Sequence, residues 1–94
     1  MERNQAEQVR NNLVAKFKEV GIECSWLMES GGITMKRSGE VKVSFSLRNE
    51  ATFKSDVVKM KEIVSQSLTN SKVTISNQFS SSRPEGKVIV TINQ

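Results

Sequence analysis

Lys36, Lys42, Lys72 and Lys87 stand at positions where strands would turn them to one side of a sheet. Lys42 lies in Glu40-Val41-Lys42-Val43-Ser44-Phe45-Ser46-Leu47, Lys72 in Lys72-Val73-Thr74-Ile75-Ser76, and Lys87 in Lys87-Val88-Ile89-Val90-Thr91-Ile92. Successive side chains of a strand point to opposite faces, so each segment has an apolar face and a face rich in Lys, Ser and Thr. The polar face is expected to carry Thr34, Lys36, Glu40, Lys42, Ser44, Ser46, Lys72, Thr74, Ser76, Lys87, Ile89 and Thr91, with Glu23 as a further acid on the first strand. An ammonium group meets a phosphate as a point charge, and hydroxyls can hydrogen-bond its oxygens. Arg37 and Arg83, in adjoining turn and loop segments, extend such a patch. The contact set expected for nucleic acid, or for an acidic partner, is therefore Lys36, Arg37, Lys42, Lys72, Arg83 and Lys87.

That face has no aromatic residue, and the chain has no tyrosine. Sheet-type single-strand binders stack bases on rings, so the chemistry left is backbone-dominated and tolerant of sequence. The plainer account of the same residues is solubility: Thr favours strands, and Lys on open or edge strands opposes aggregation.

Other chemistries find little support. The chain has no histidine, which removes the commonest general base, the commonest metal ligand and any Ser-His or Cys-His nucleophile pair. One cysteine without histidine cannot furnish an ordinary zinc site. Gly31-Gly32 lacks the spacing of a phosphate loop and reads as a turn. The ten carboxylates are scattered, mostly beside lysines on helix surfaces. No enzymatic activity, cofactor or metal is expected. Cys24 shares a strand face with Ile22 and Trp26, so it is expected as a packed, inert thiol, with Trp26 as a core anchor.

The lysines can act together only if the chain holds them on one sheet. Ala6, Val9, Leu13, Phe17 and Val20 recur at helical spacing, giving an amphipathic helix over residues 4–20 with Asn4 and Glu7 as a capping-box pair and Gly21 as the C-terminal cap. Residues 22–28, 33–36 and 40–47 read as three antiparallel strands of a meander, with turns at 29–32 and 37–39. Phe53, Val57, Met60, Val64 and Leu68 mark a second helix over 50–68, capped by Asn49. Strands over 72–79 and 87–93 flank a loop at 80–86 that holds the lone proline. The expected fold is a two-layer α+β sandwich in the order α-β-β-β-α-β-β, with both helices on one face of a four- or five-stranded antiparallel sheet.

An internal echo runs through this order. Val14-Ala15-Lys16-Phe17-Lys18-Glu19-Val20 resembles Val57-Val58-Lys59-Met60-Lys61-Glu62-Ile63, and residues 39–45 resemble 86–92. The echo reads either as two helix-then-hairpin halves or as the likeness of any two amphipathic helices and alternating strands. Residues 41–92 run strand, helix, strand, polar loop with Arg83, strand, which resembles in element order the C-terminal part of Alba-type nucleic-acid-binding domains. The chain's initial helix departs from that family, so no residue roles transfer. With 33–36 taken as an insertion, the α-β-β-α-β-β skeleton also resembles a circularly permuted ferredoxin-like fold.

The 94 residues suit one domain with one modest core. Hydrophobic residues make up 36% and charged residues 26%, a globular balance, and no apolar run is long enough for a membrane span. The polar N-terminus and single cysteine are read as cytoplasmic. A net charge of +4 leans toward an anionic partner without a basic cluster to sharpen it. Two binding readings thus stand: a basic module on nucleic-acid backbone, and a regulator or inhibitor of viral or mobile-element type that grips a protein. The second would act through a sheet edge or the 80–86 loop, and the same edges could join two copies as a homodimer.

Overall fold

A computed structural model describes residues 1–26 and 29–93, with the backbone alone at Trp26, Glu29 and Ser30. The expected core role of the Trp26 side chain and the expected strand positions of Leu27 and Met28 lie outside what is described.

Helix α1 spans Arg3–Glu19 and buries Ala6, Leu13, Val14 and Phe17. Its start lies two residues earlier than Asn4–Glu7 suggests: Glu2 is the N-cap, and its N–H donates to Gln5 Oε1 at 2.9 Å. Its end follows the sequence. Gly21 takes φ +84°, its N–H donates to Lys18 O at 3.0 Å, and Ile22 N–H donates to Phe17 O at 2.9 Å. These two bonds form the Schellman motif. Ile22 and Phe17 are both buried, as the hydrophobic contact of that motif requires.

Strands β1 (Cys24–Trp26), β2 (Ile33–Met35), β3 (Val41–Leu47), β4 (Ser71–Asn77) and β5 (Gly86–Ile92) form one antiparallel sheet. Helix α2 (Phe53–Ser67) links its two halves. A short 3-10 turn over Glu29–Gly32 precedes β2. The result is the expected two-layer α+β sandwich of two helices and five strands.

The N-terminal strands correct the meander. Cys24 pairs with Leu47 and Trp26 with Phe45, while Ile33 pairs with Val43 and Met35 with Val41. β1 and β2 therefore do not pair with each other. They lie end to end against β3 as one edge strand, and the pairing skips Ser44 between them. The glycines do turn the chain, with Gly31 at φ +60° and Gly32 at +75°. The turn returns the backbone to the same ladder instead of starting a new one. Arg10 of α1 holds this excursion, its Nη1 donating to Gly31 O at 2.7 Å.

Helix α2 begins at Phe53, after a turn over 50–52, so Thr52 and not Asn49 is its N-cap. Thr52 O accepts the Asp56 N–H at 2.8 Å, and Thr52 Oγ1 donates to the buried Asp56 carboxylate at 2.8 Å. Phe53, Val57, Met60 and Val64 of α2 join Leu13, Phe17, Val43, Phe45, Val88 and Val90 in one hydrophobic core between helices and sheet. Phe17 and Phe45 meet edge-on at 5.4 Å, a favoured aromatic geometry.

Candidate nucleic-acid interface on the open sheet face

The register sets the far side of the sheet in three rows. The first runs Thr34–Lys42–Thr91–Lys72 across β2, β3, β5 and β4. The middle row is Ser44–Ile89–Thr74, and the last is Ser25–Ser46–Lys87–Asn77. Asn77 occupies the place expected for Ser76, because a bulge between Ile75 and Asn77 shifts the register of β4. A bulge adds one residue to one strand, so the alternation read from the sequence slips by one beyond it.

The six expected contact residues divide between the two ends of this face. Lys42 and Lys72 flank Thr91 in the first row, about 10 Å apart at two strand spacings. Lys36 and Arg37 follow β2 in the exposed turn at the same end. Lys87 lies four residues along β5 from Thr91, about 13 Å away, near the loop that carries Arg83. Within that loop Ser80 and Arg83 exchange backbone hydrogen bonds of 3.0 and 3.1 Å, so Arg83 closes a tight turn.

Two features weaken the positive, hydroxyl-rich character of this face. Glu40 Oε1 lies 3.7 Å from Lys42 Nζ and 3.9 Å from Lys36 Nζ, so one carboxylate partly offsets two of the four lysines. Among the described residues, Lys72, Lys87, Arg37 and Arg83 form no ion pair. The hydroxyls also differ in reach. Ser46 and Thr91 are each only 4% exposed, although they lie on the open face. Both sit on central strands beside lysines, whose aliphatic stems can cover small neighbours. Thr34, Thr74 and Ser25 are exposed on the same rows, and Ser44 is half-buried.

Arg48 was missed in the sequence set. It lines a shallow hollow of about 320 Å³ with Glu23, Cys24, Ser25 and Ser46, at the Lys87 end of the sheet. Its signal was present: Lys42, Ser44, Ser46 and Arg48 continue one period-two series past the end of β3. Glu23 in the same hollow opposes its charge.

Cys24 is half-buried on the hollow's wall. Burial pushes its thiol pKa up, Lys18 opposes that shift, and Asp56 adds to it. A raised pKa keeps the sulfur protonated at neutral pH, the opposite of what a nucleophile needs. Among the described residues no group of three or more His, Cys, Asp or Glu side chains gathers to hold a metal, and no helix is long and apolar enough to cross a membrane. Compared with known protein families, with curated proteins and with solved structures, the chain matches none.

Proposed function

We propose that the first-row end of the open face binds the phosphate backbone of nucleic acid without reading base sequence. The observation that supports this reading is the row Lys42–Thr91–Lys72, continued by exposed Thr34, Lys36 and Arg37 at the same corner. Four cations lie there, two of them partly offset by Glu40. Without aromatic side chains on the rows, affinity comes from charge and from counterion release, and therefore falls with salt. Lys87, Arg83 and Arg48 form a weaker second contact region at the other end.

Fluorescence anisotropy with a labelled generic duplex and a labelled single strand, titrated with salt, tests this. Four phosphate contacts give a log–log salt slope of about −3 to −4. Lys42→Gln combined with Lys72→Gln should reduce the slope by about 2 and weaken both probes alike. Glu40→Gln should tighten binding by releasing Lys36 and Lys42. Binding that is undetectable at low salt, or indifferent to salt, ends the proposal.

A further inference from the structure

The two borders of the sheet are built differently, and the β4 border is open along its length. Among the described residues β4 has no strand on its outer side, whereas the opposite border is shared by the two short strands β1 and β2. Asn93 N–H donates to Asn70 O at 2.9 Å, which makes 70 and 93 a pair that faces each other with its hydrogen-bonding groups. Counting in twos along the ladder, Lys72 and Thr74 turn their backbone groups toward β5. Ser71, Val73 and Ile75 therefore turn theirs outward. The hairpin at Lys36, whose N–H donates to Glu40 O at 2.9 Å, gives the same parity when followed across β3 and β5.

Cations flank this row of outward amides and carbonyls. Lys72 is exposed on β4 itself. Lys54 of α2 lines a hollow with Gln78 and Phe79, just past the end of β4. Lys61 lies two helical turns farther along the same stripe of α2, which packs against β4. None of these three lysines is in an ion pair among the described residues; Glu50 is the acid in the Lys54 hollow. Ile75, 37% exposed, offers an apolar contact between them.

We infer that the β4 edge accepts an acidic extended peptide as an additional strand of the sheet. Outward backbone groups at Ser71, Val73 and Ile75 supply the ladder, and Lys54, Lys61 and Lys72 select negative charge. A second copy of this chain suits the edge less well. A two-fold contact would set the same lysine-bearing surface against itself, and like charges across paired strands are destabilising.

The test uses the full chain and two labelled peptides about seven residues long, the length of β4: one alternating Glu and Val, the other Lys and Val. The Glu peptide should bind, the Lys peptide should not, and the amide NMR signals of Ser71, Val73 and Ile75 should move most. Ile75→Pro removes an outward N–H and leaves the bonds to β5 in place, so it should weaken the Glu peptide by about tenfold. Lys54→Glu with Lys61→Glu leaves the strand untouched and should invert the preference between the peptides, which keeps the test valid if the proline variant does not fold. Equal affinity for the two peptides, signals that move only around Lys36 and Lys42, or self-association that blocks the edge in sedimentation would each overturn the inference.

Discussion

Strands β3 and β5 carry the same alternation of buried and half-buried residues, position by position, while the border strands beside them share almost nothing. Val41–Leu47 and Gly86–Ile92 each follow an amphipathic helix in sequence, and each lies at the centre of the sheet. The helices match as well: Leu13, Val14 and Phe17 are buried on α1, as Asp56, Val57 and Met60 are on α2. The first border is broken in the middle and tied down by Arg10; the second is continuous and ends in a bulge. A central strand has two ladders and one core face to satisfy, so its pattern is tightly constrained. A border strand has one ladder and a wet side. Divergence collects there; the peptide proposal rests on the β4 border and the helix beside it, and the phosphate proposal joins Lys72 of that border to Lys42 of central β3.

The core separates the two central strands most sharply. Phe45 is fully buried against Phe17, and the place it holds on β3 is held on β5 by Val90, also fully buried. Phe45→Ala should cost about 3–5 kcal/mol in urea unfolding, while Val90→Ala should cost about 1.5–3. A Val90 variant that costs as much as the Phe45 variant would mean that the second half, and not the Phe17–Phe45 contact, anchors the core.

Gly86 marks the next difference. It opens β5 opposite Leu47, and a Cβ there would collide with Phe53 Cε1. The ring of Phe53 thus rests on bare backbone, with Phe79 edge-on to it at 5.2 Å. Counted from the first residue of each strand, the corresponding place on β3 is held by Val41, which bears a full side chain. Gly86→Ala should cost about 1–3 kcal/mol through overpacking. In a Phe53→Leu background most of that penalty should vanish, and a double-mutant cycle measures the coupling. Additive losses would show that the glycine is needed for the backbone and not for the ring.

Much of this arrangement could be read from residues alone, for identifiable reasons. The stripes Leu13–Phe17 and Val57–Met60–Val64 and the alternation of 41–47 and 86–92 are periodic over many residues, and one buried face enforces that period. Gly21 announced the end of α1 because few other residues take its backbone angles easily. The return of β2 to the ladder already used by β1 was not legible, since Gly31-Gly32 signals that the chain turns but not which ladder it rejoins. The bulge at Ser76 was equally hidden: Ser and Asn suit either face, so no apolar residue marks the slip. As for the candidate site, the sequence named the lysines. The pairing of Glu40 with Lys36 and Lys42, and the covering of Ser46 and Thr91, depend on neighbours across strands.

The tie at the broken border gives a smaller and more local test. Arg10→Ala removes the guanidinium that donates to Gly31 O and should cost about 1–2 kcal/mol, near the lower end for hydrogen bonds from charged groups because the bond is only part-buried. The loss should be regional. Amide hydrogen exchange should speed up along β1 and β2 and stay unchanged in β4 and β5, because the two borders touch different central strands. Uniform acceleration across the sheet would show that the borders open together and that the halves are not separable units.

The smallest effect concerns Cys24, whose first-half border position is half-buried beside the helix layer. Its pKa is raised above the ordinary 9.0, mainly by desolvation. In an unfolded chain the thiol ionises at the ordinary value, so between the two pKa values the folded state holds more protons. Stability from this group is therefore full below about pH 9 and declines as pH rises through the folded pKa. Cys24→Ser removes that decline, so the stability difference between parent and variant should be constant at neutral pH and narrow in alkali. Alkylation by iodoacetamide should likewise be slower for the native protein than for the urea-unfolded chain at the same pH, since the thiolate is the reacting species. Equal rates would place the sulfur in water and detach β1 from the layer above it, which would make the first border as open as the second.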